Sequence, residues 1–408
     1  MVKIIVGLIG TAFNVLRVRS PLYSGERVRV RGSGVWLHFN ALLRLSTPEY
    51  RGSRGSVLKP ALFVAALIVI GLNHQLTYAQ PSDSAPISAA SGDLISRDVR
   101  EVYDRGLDYL VKSQAADGGW SDGHSGPGTG GLALMALLAS GEDPNFGLYS
   151  QPIRKAIRSI IRSQSGSTGY LGNSMYQHGF ANLGLAEAYG AVDETDLWET
   201  GKPVAGKERT IGEALELAVR CSVTSQAKNP FSAWRYSPSA RDADTSVSGA
   251  VLMGLLAARN AGIEVPDKSI DGAVKYVSSL TGDSGAIGYS GGLGGFGNSI
   301  ARSSIACLVF SIAKRKDLKQ FEATTKYVVT NMNEQSPYEE YSRYYEAQAL
   351  FQADLDAWEK WNRSLTRELK SSQDSDGSFN GQFGKSTSTA MNLLAIALNF
   401  RFLPIYER

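Results

Sequence analysis

The chain has 408 residues, 43% of them hydrophobic and 20% charged, and this composition is typical of a soluble globular protein with one large core or two ordinary domains. The formal net charge of +3 is uneven, with +7 over residues 1–56 and −5 over residues 80–408. The mildly acidic main part lacks the basic surface of a nucleic-acid-binding protein, so we expect no nucleic-acid partner.

The first elements in the chain predict export. Lys59 precedes a run of 12 apolar residues, 61–72, and small residues then lead to Ala79. A basic flank, a short apolar region and an A-x-A-like end are typical of a secretory signal peptide, and the run is too short to span a bilayer comfortably. We predict a signal peptide over 57–79, cleavage after Ala79, and a secreted or periplasmic product. An uncleaved membrane anchor is the alternative.

Residues 1–56 precede this signal, contain seven more basic than acidic side chains, and show no clear helix or strand pattern. Our hypothesis is a mis-assigned start, with translation beginning near Val57, and the alternative is a long arginine-rich targeting extension. Residues 80–95 begin with proline and serine and are predicted to form a flexible linker. The folded domain is therefore expected over 96–408.

This domain repeats one unit, a helix followed by a glycine-rich turn and a second helix. In the clearest copy, residues 105–120, an amphipathic helix ends at Gln114 and the turn contains Gly118, Gly119 and Trp120. Similar turns follow Gln164, Gln226 and Gln373, and two degenerate copies lie between the last two. The spacing predicts six helical hairpins at about 97–141, 151–190, 207–261, 266–314, 317–353 and 355–402.

The turns account for many of the 43 glycines. Glycine permits left-handed backbone at the end of the first helix. We expect the aromatic residue to pack over the turn, and the glutamine to bond the exposed amides at the start of the next helix.

The two helices of a hairpin differ in character. Second helices such as 131–139, 249–257 and 390–398 are apolar nearly all round, which predicts burial on every side. First helices such as 154–162 and 361–370 are amphipathic and charged. An inner ring wrapped by an outer ring follows, which predicts an all-α fold of six hairpins closed into an α6/α6 toroid. An open solenoid would fit the repeat but not this contrast.

Residues 105–120 resemble the QW motif of squalene–hopene and oxidosqualene cyclases, and the resemblance extends over about 95–402. Similarity to this terpenoid cyclase and protein prenyltransferase superfamily implies the toroid independently of the helix count. A closer resemblance is to exported proteins of planctomycete-type bacteria that carry prenyltransferase/squalene-oxidase repeats, a family without established activity. It rests on the segments 234–238, 244–247, 344–348, 358–362 and 401–404.

One segment resembles a catalytic motif of that superfamily. Class II terpene cyclases protonate an alkene with the middle acid of an Asp-x-Asp-Asp motif at the start of an inner helix. Aligned from Asp242, this chain has Thr245 at the fourth position, and aligned on Asp244-Thr245 it has Ala243 at the donor position. Asp242 and Asp244 are candidate catalytic residues, and the alternative is that Asp244 caps the helix.

Other chemistries have weaker signals. The four histidines, among them His124 and His178, are not at zinc-ligand spacing, so we expect no metal and no cofactor. Cys221 and Cys307 lie in apolar helical patterns and are predicted to be free buried thiols, with one disulfide as the alternative.

Three functions stay open. The first is a cyclase-like protein, without established catalysis, whose central cavity binds an apolar, isoprenoid-like ligand. The second is a carbohydrate-active hydrolase or lyase with two carboxylates at the barrel mouth, drawn from Asp242, Asp244, Glu339, Glu340 and Glu346. The third is a protein-interaction scaffold with a sealed barrel, and a filled central cavity would argue against both small-molecule functions.

Any ligand is expected where the inner helices begin, because the positive ends of the helix dipoles converge there. The residues predicted to contact it are His124, His178, Thr245, Asn298, Arg302, Tyr341, Tyr344, Tyr345 and Glu346.

Overall fold

The computed structural model describes residues 96–123, 126–195, 197–198, 208–290, 299–332 and 334–406. The predicted extension, signal peptide and linker lie outside the described residues, as do the candidate ligand residues His124 and Asn298. None of the described helices combines the length and apolar character needed to cross a membrane.

The described chain forms six helical hairpins, as predicted, with boundaries within a few residues of those expected. The first helices are α1 Arg97–Ser113, α3 Ser150–Arg162, α5 Ile211–Lys228, α7 Asp267–Leu280, α9 Lys319–Asn331 and α11 Leu355–Ser372. The second helices are α2 Pro127–Leu138, α4 Met175–Ala188, α6 Thr245–Asn260, α8 Ile300–Ile312, α10 Glu339–Ala353 and α12 Lys385–Ala397. A short 3₁₀ turn, Pro404–Tyr406, follows α12.

The even-numbered helices form a closed inner ring. Each packs against the next, from α2 through α4, α6, α8 and α10 to α12, and α12 packs against α2. The odd-numbered helices surround this ring, each packed on the inner helix that precedes it around the ring, and all but α3 are also packed on their own hairpin partner. Because α1 also contacts α11 and α12, the first hairpin meets the last, and the predicted α6/α6 toroid is confirmed.

Burial follows from the side-chain pattern. Helix α2 contains proline, glycine, threonine and aliphatic residues, and its residues from Gly128 to Leu137 are all buried. Helix α1 buries one stripe that includes Val99, Leu107 and Leu110, and it leaves its charged face to solvent. Cys221 and Cys307 are free and buried, as predicted.

A repeated joint fastens four of the six hairpin turns to the next outer helix. The side-chain nitrogen of Gln114 donates to the carbonyls of Gly118, in its own turn, and Pro152, in the first turn of α3, both at 3.0 Å. Three further glutamines do the same, with outer-helix acceptors at 2.7 to 2.9 Å: Gln164 to Ala214, Gln226 to Ser269, and Gln373 to Val102. The expectation that they bond helix-start amides was wrong, because the two N–H groups of one carboxamide match two carbonyls.

Close backbone approach explains the turn glycines. Gly118 has a φ of +90°, and a Cβ there would lie 2.1 Å from the carbonyl oxygen of Lys155 in α3. In the third turn Ser232 has a φ of +53°, and the facing outer-helix residue is Gly272 instead. In the third joint, therefore, the glycine that permits the close approach lies on the outer helix instead of in the turn.

The aromatic residues pack over the turns as predicted. The indole nitrogen of Trp120 donates to the carbonyl of Leu110 at 3.0 Å, and that of Trp234 donates to the carbonyl of Ser222 at 2.9 Å. Trp120 thus satisfies a carbonyl in the last turn of its outer helix, whereas Trp234 bonds one further back, inside α5.

Candidate functional site

The mouth of the ring is defined here as the end at which the inner helices begin, around the first turns of α4, α6, α8 and α10. Four candidate residues of the sequence analysis meet there: Asp242, Asp244, Thr245 and Arg302. They lie beside Arg235, Tyr236 and Tyr289.

Asp244 caps the N-terminus of α6. Its Oδ1 accepts a hydrogen bond from the backbone nitrogen of Val247 at 2.7 Å. Its Oδ2 is buried without a hydrogen bond, 3.7 Å from Nε of Arg235. Loss of hydration raises the pKa of this carboxyl to about 6, although the Val247 amide and Arg235 act in the opposite direction. Asp244 is thus both a helix cap and a buried acid.

Asp242 is tied to the same arginine. Its Oδ2 accepts a hydrogen bond from Nη1 of Arg235 at 2.7 Å, and 62% of its side chain is exposed. Arg235 therefore bridges the two aspartates, one in solvent and one buried.

Two tyrosines lie over this arginine. The hydroxyl oxygens of Tyr236 and Tyr289 are 2.8 Å apart, and the guanidinium carbon of Arg235 is 5.5 Å from both ring centroids. Arg302 approaches the Tyr289 ring from α8 at 5.9 Å. The rim of the mouth therefore combines aromatic faces with two cations.

Thr245 holds the neighbouring backbone rather than facing a ligand. Its hydroxyl donates to the carbonyl of Gly288 at 2.7 Å, and its backbone nitrogen donates to that of Tyr289 at 2.9 Å. In a complete Asp-x-Asp-Asp motif the fourth position is an acid, and here it is a structural hydroxyl.

Aromatic side chains cross the centre of the ring. Helices α4 and α10 are opposite members of the six-membered inner ring. Even so, the hydroxyl oxygens of Tyr176 and Tyr341 lie 2.7 Å apart, and the rings of Phe180 and Tyr344 pack edge to face at 6.0 Å. Tyr345 packs against both Tyr341 and Tyr344 at 4.9 Å.

The far end of the ring is also occupied. The hydroxyl of Tyr406 lies 3.3 Å from that of Tyr344, and its carbonyl accepts a hydrogen bond from Gln352 at 3.1 Å. The backbone nitrogen of Ile405 donates to Glu187 at 3.3 Å. The expectation of an open central cavity was therefore wrong, because α4 and α10 place rings on the axis at successive turns and the Pro404–Tyr406 turn packs below them.

His178 lies away from the mouth. It is fully buried, its Nδ1 accepts from the backbone nitrogen of Leu171 at 3.1 Å, and its Nε2 is 2.9 Å from the hydroxyl of Ser222 in α5. Burial lowers its pKa to about 4. His178 is two residues after Tyr176, and two residues correspond to a rotation of about 200° around the axis of α4. His178 therefore faces the outer ring instead of the predicted ligand.

Glu346 also lies elsewhere. Positions 341 and 345 of α10 face the axis, whereas Ser342, Arg343 and Glu346 line a separate cavity of about 250 Å³ beside α11. We call this cavity the side pocket. Burial raises the pKa of Glu346 to about 8.

Only two of the carboxylates considered for sugar chemistry meet at the mouth, Asp242 and Asp244. Glu340 accepts hydrogen bonds from the Gln382 backbone nitrogen at 2.7 Å and the Ser388 hydroxyl at 3.0 Å, so it fastens α10 to the last hairpin. Among the described residues, no group of three or more His, Cys, Asp or Glu side chains could hold a metal ion.

Sequence reasoning missed Arg235, Tyr289 and Tyr176. Arg235 lies in the Trp-Arg-Tyr segment quoted for the family resemblance, so that segment was the available signal. Tyr289 reaches the mouth because the backbone at Ser290 forms a bridge with Asp244, and no sequence pattern marks this contact.

No family model matches the sequence, and comparison with curated proteins finds no match. Solved structures do match. A variant of the type II terpene cyclase MstE from Scytonema, in complex with its substrate geranylgeranyl dihydroxybenzoate, is similar with a TM-score of 0.51 and 12% identity. A glycosidase variant matches with a TM-score of 0.50 and 11% identity. Each comparison covers 75% of this chain and 98% of the other. These likenesses establish the shared toroid fold.

Proposed function

We propose that the chain is an exported toroid protein that binds a small apolar, isoprenoid-like ligand at the mouth of the ring. The observation that carries this proposal is the buried Asp244 carboxyl beside the aromatic rim, whose Oδ2 has no hydrogen bond and only the Arg235 guanidinium at 3.7 Å. A similar fold in MstE holds a geranylgeranyl compound, which supports the ligand class.

The filled axis rules out the central cavity as the binding site and so counts against the small-molecule functions in the form in which the sequence predicts them; the proposal is for a shallower site at the mouth. Because Tyr176 and Tyr341 meet across the axis, an apolar chain would lie on the side of this pair that faces the mouth. It would also contact Tyr236 and Tyr289 at the rim. Tyr236 is 48% exposed, so an apolar ligand that covers it gains from the removal of its ring from water.

The polar groups at the mouth would hold the ligand's head group. Arg235, Arg302 and the N-terminus of α6 favour a hydroxyl or an anion. Asp244, with a pKa of about 6, carries a proton part of the time near neutral pH and would donate a hydrogen bond when protonated. The proposal is of binding rather than alkene protonation, since Thr245 supplies no second carboxyl to support the acid.

Native mass spectrometry of the protein purified from its own host tests this proposal, and we expect a retained apolar compound. N-terminal sequencing of the same sample tests export, with Gln80 as the expected first residue. For a direct measurement, the protein is titrated with geranylgeraniol and its intrinsic fluorescence is followed. We expect saturable binding that Tyr236→Ala weakens by about fivefold or more, as lost aromatic contact area would predict.

Phe146→Ala is the matched control, because Phe146 is a highly exposed aromatic in the α2–α3 connection, away from the mouth. It should leave binding unchanged. If native mass spectrometry finds no retained compound and the titration shows no saturable binding, the proposal is wrong and a scaffold with a sealed barrel is favoured. Equal effects of Tyr236→Ala and Phe146→Ala would place any binding outside the mouth.

A further inference from the structure

The side pocket lies between α10, α11 and the connection that precedes α10, apart from the mouth. Its volume of about 250 Å³ is just below the usual range for drug-sized ligands, so it suits a small molecule. Trp361 and Leu365 of α11 supply apolar surface on one side. The indole nitrogen of Trp361 is already bonded to the carbonyl of Met332 at 3.0 Å, so the ring is fixed in place.

Two buried polar side chains of this pocket have no partner among the described residues. Glu346 is 4% exposed, and within the described ranges its carboxyl feels only the longer-range charges of Arg343 and Glu334, with no hydrogen bond or ion pair. Ser342, one turn earlier on α10, is 2% exposed and its hydroxyl has no hydrogen-bond partner there. Buried polar groups are normally satisfied, so the unsatisfied Ser342 hydroxyl, at the same cavity as the unpaired Glu346 carboxyl, points to a missing ligand.

The charges around the pocket favour a cation. Its lining contains four glutamates and one arginine: Glu334, Glu339, Glu346, Glu368 and Arg343. Arg343 is already paired with Glu339 and Glu368. Its charge lowers the pKa of Glu346 only at longer range, and the loss of hydration, which raises that pKa, has the larger effect. The described lining is therefore acidic, and the one cation in it, Arg343, is committed to two other carboxylates.

We propose that the side pocket binds a small organic cation, a primary ammonium on a short apolar stem, with the Glu346 carboxylate as its counter-ion. An ammonium group has three N–H donors and can serve both Glu346 and Ser342. The stem would lie against Leu365 and the Trp361 ring, whose face attracts cations. The side pocket and the mouth are separate sites, so either proposal can fail without the other.

Calorimetric titration of the full chain with n-butylammonium chloride tests the proposal, with 1-butanol as the uncharged counterpart. We expect saturable binding of the ammonium and much weaker binding of the alcohol. Because Glu346 must lose its proton to bind the cation, affinity should rise about tenfold per pH unit from pH 6 to 7.5 and level off above pH 8. The same titration at pH 6.5 should release close to one proton.

Glu346→Gln keeps the shape of the side chain and removes its charge, so we expect affinity to fall about tenfold or more and the pH dependence to disappear. Glu359→Gln, on the exposed face of α11, is the matched control and should change neither. Equal binding of butanol and butylammonium, binding that does not change with pH, or no saturable ammonium binding would each overturn the proposal. These wild-type measurements decide the matter even if Glu346→Gln does not fold.

Discussion

The hydroxyl oxygens of Tyr176 and Tyr341 lie 2.7 Å apart across the axis of the ring, on the opposite helices α4 and α10. This bond joins two hairpins that are far apart around the circumference. It also lies next to Asp244, whose charge would raise the pKa of both tyrosines beyond the effect of burial.

Tyr176→Phe should therefore destabilise the fold by about 1 kcal/mol, because it removes the hydrogen bond between the two hydroxyls and leaves that of Tyr341 with Ser246 alone. Urea unfolding measures this change, and a double-mutant cycle with Tyr341→Phe should give a coupling of about 1 kcal/mol. Tyr236→Phe breaks the Tyr236–Tyr289 bond at the exposed rim and should cost much less. A coupling near zero would mean that the bond across the axis does not contribute to stability.

Gly169→Ala should be more harmful than Gly190→Ala. Both glycines have positive φ, +75° and +79°, so either alanine carries a strain of about 1–2 kcal/mol. At Gly169 a Cβ would also lie 2.1 Å from the carbonyl oxygen of Leu217, whereas at Gly190 nothing lies within 4 Å. The difference in free energy of unfolding isolates the close approach, and equal losses would contradict it.

Gln373→Leu should weaken the contact between the last hairpin and the first. It removes hydrogen bonds to the carbonyls of Val102 and Gly377, both 2.9 Å long, at a cost of about 1–3 kcal/mol. Gln151→Leu, at an exposed position of α3, is the control and should have little effect. Thermal melting of both variants gives the comparison, and identical melting temperatures would rule out a stabilising role for the joint.

His178 should make the fold sensitive to acid. Its pKa in the folded protein is about 4, below the unfolded value of 6.5, so the unfolded state binds the proton first. The neutral histidine's full contribution is present above pH 6.5 and is lost as the pH falls towards 4, by up to about 3 kcal/mol.

Denaturant unfolding from pH 4 to 7 checks this, and His178→Gln should remove that part of the slope. Asp244 acts in the opposite direction, since its raised pKa favours the folded state below about pH 6. The wild type and His178→Gln share Asp244, so the difference between them reports the histidine. Parallel curves would contradict the assignment.

Much of the fold follows from the sequence because four of the six hairpins repeat a turn with its own glutamine and aromatic residue, three of them with a glycine as well. Helices α2, α6 and α12 were recognisable as inner helices from their apolar character nearly all round. Helix α10 mixes charged, polar and aromatic residues and is nevertheless buried on almost every side, which hid its orientation. Positions 341 and 345 share one face and 342 and 346 another, but a helix buried on every side gives no sign of which face meets the axis.

The site was predicted only in part for a related reason. Asp244 was found because it precedes an inner helix, whereas Tyr289 reaches it through a backbone bridge between distant segments. The glutamine joints were predicted in place but with the wrong partner, since a carboxamide has both donors and an acceptor and the sequence does not say which is used.

The contact of α1 with α11 and α12 has a consequence for how the ring opens. Neighbouring hairpins elsewhere are continuous in the chain, whereas the last and first described hairpins meet only through non-covalent contacts such as the Gln373–Val102 bond. This seam is where thermal fluctuation should separate the ring first. Amide exchange there should be faster than at the equivalent joints, and a permuted chain that links α12 directly to α1 would move the weak point to a new place on the circle.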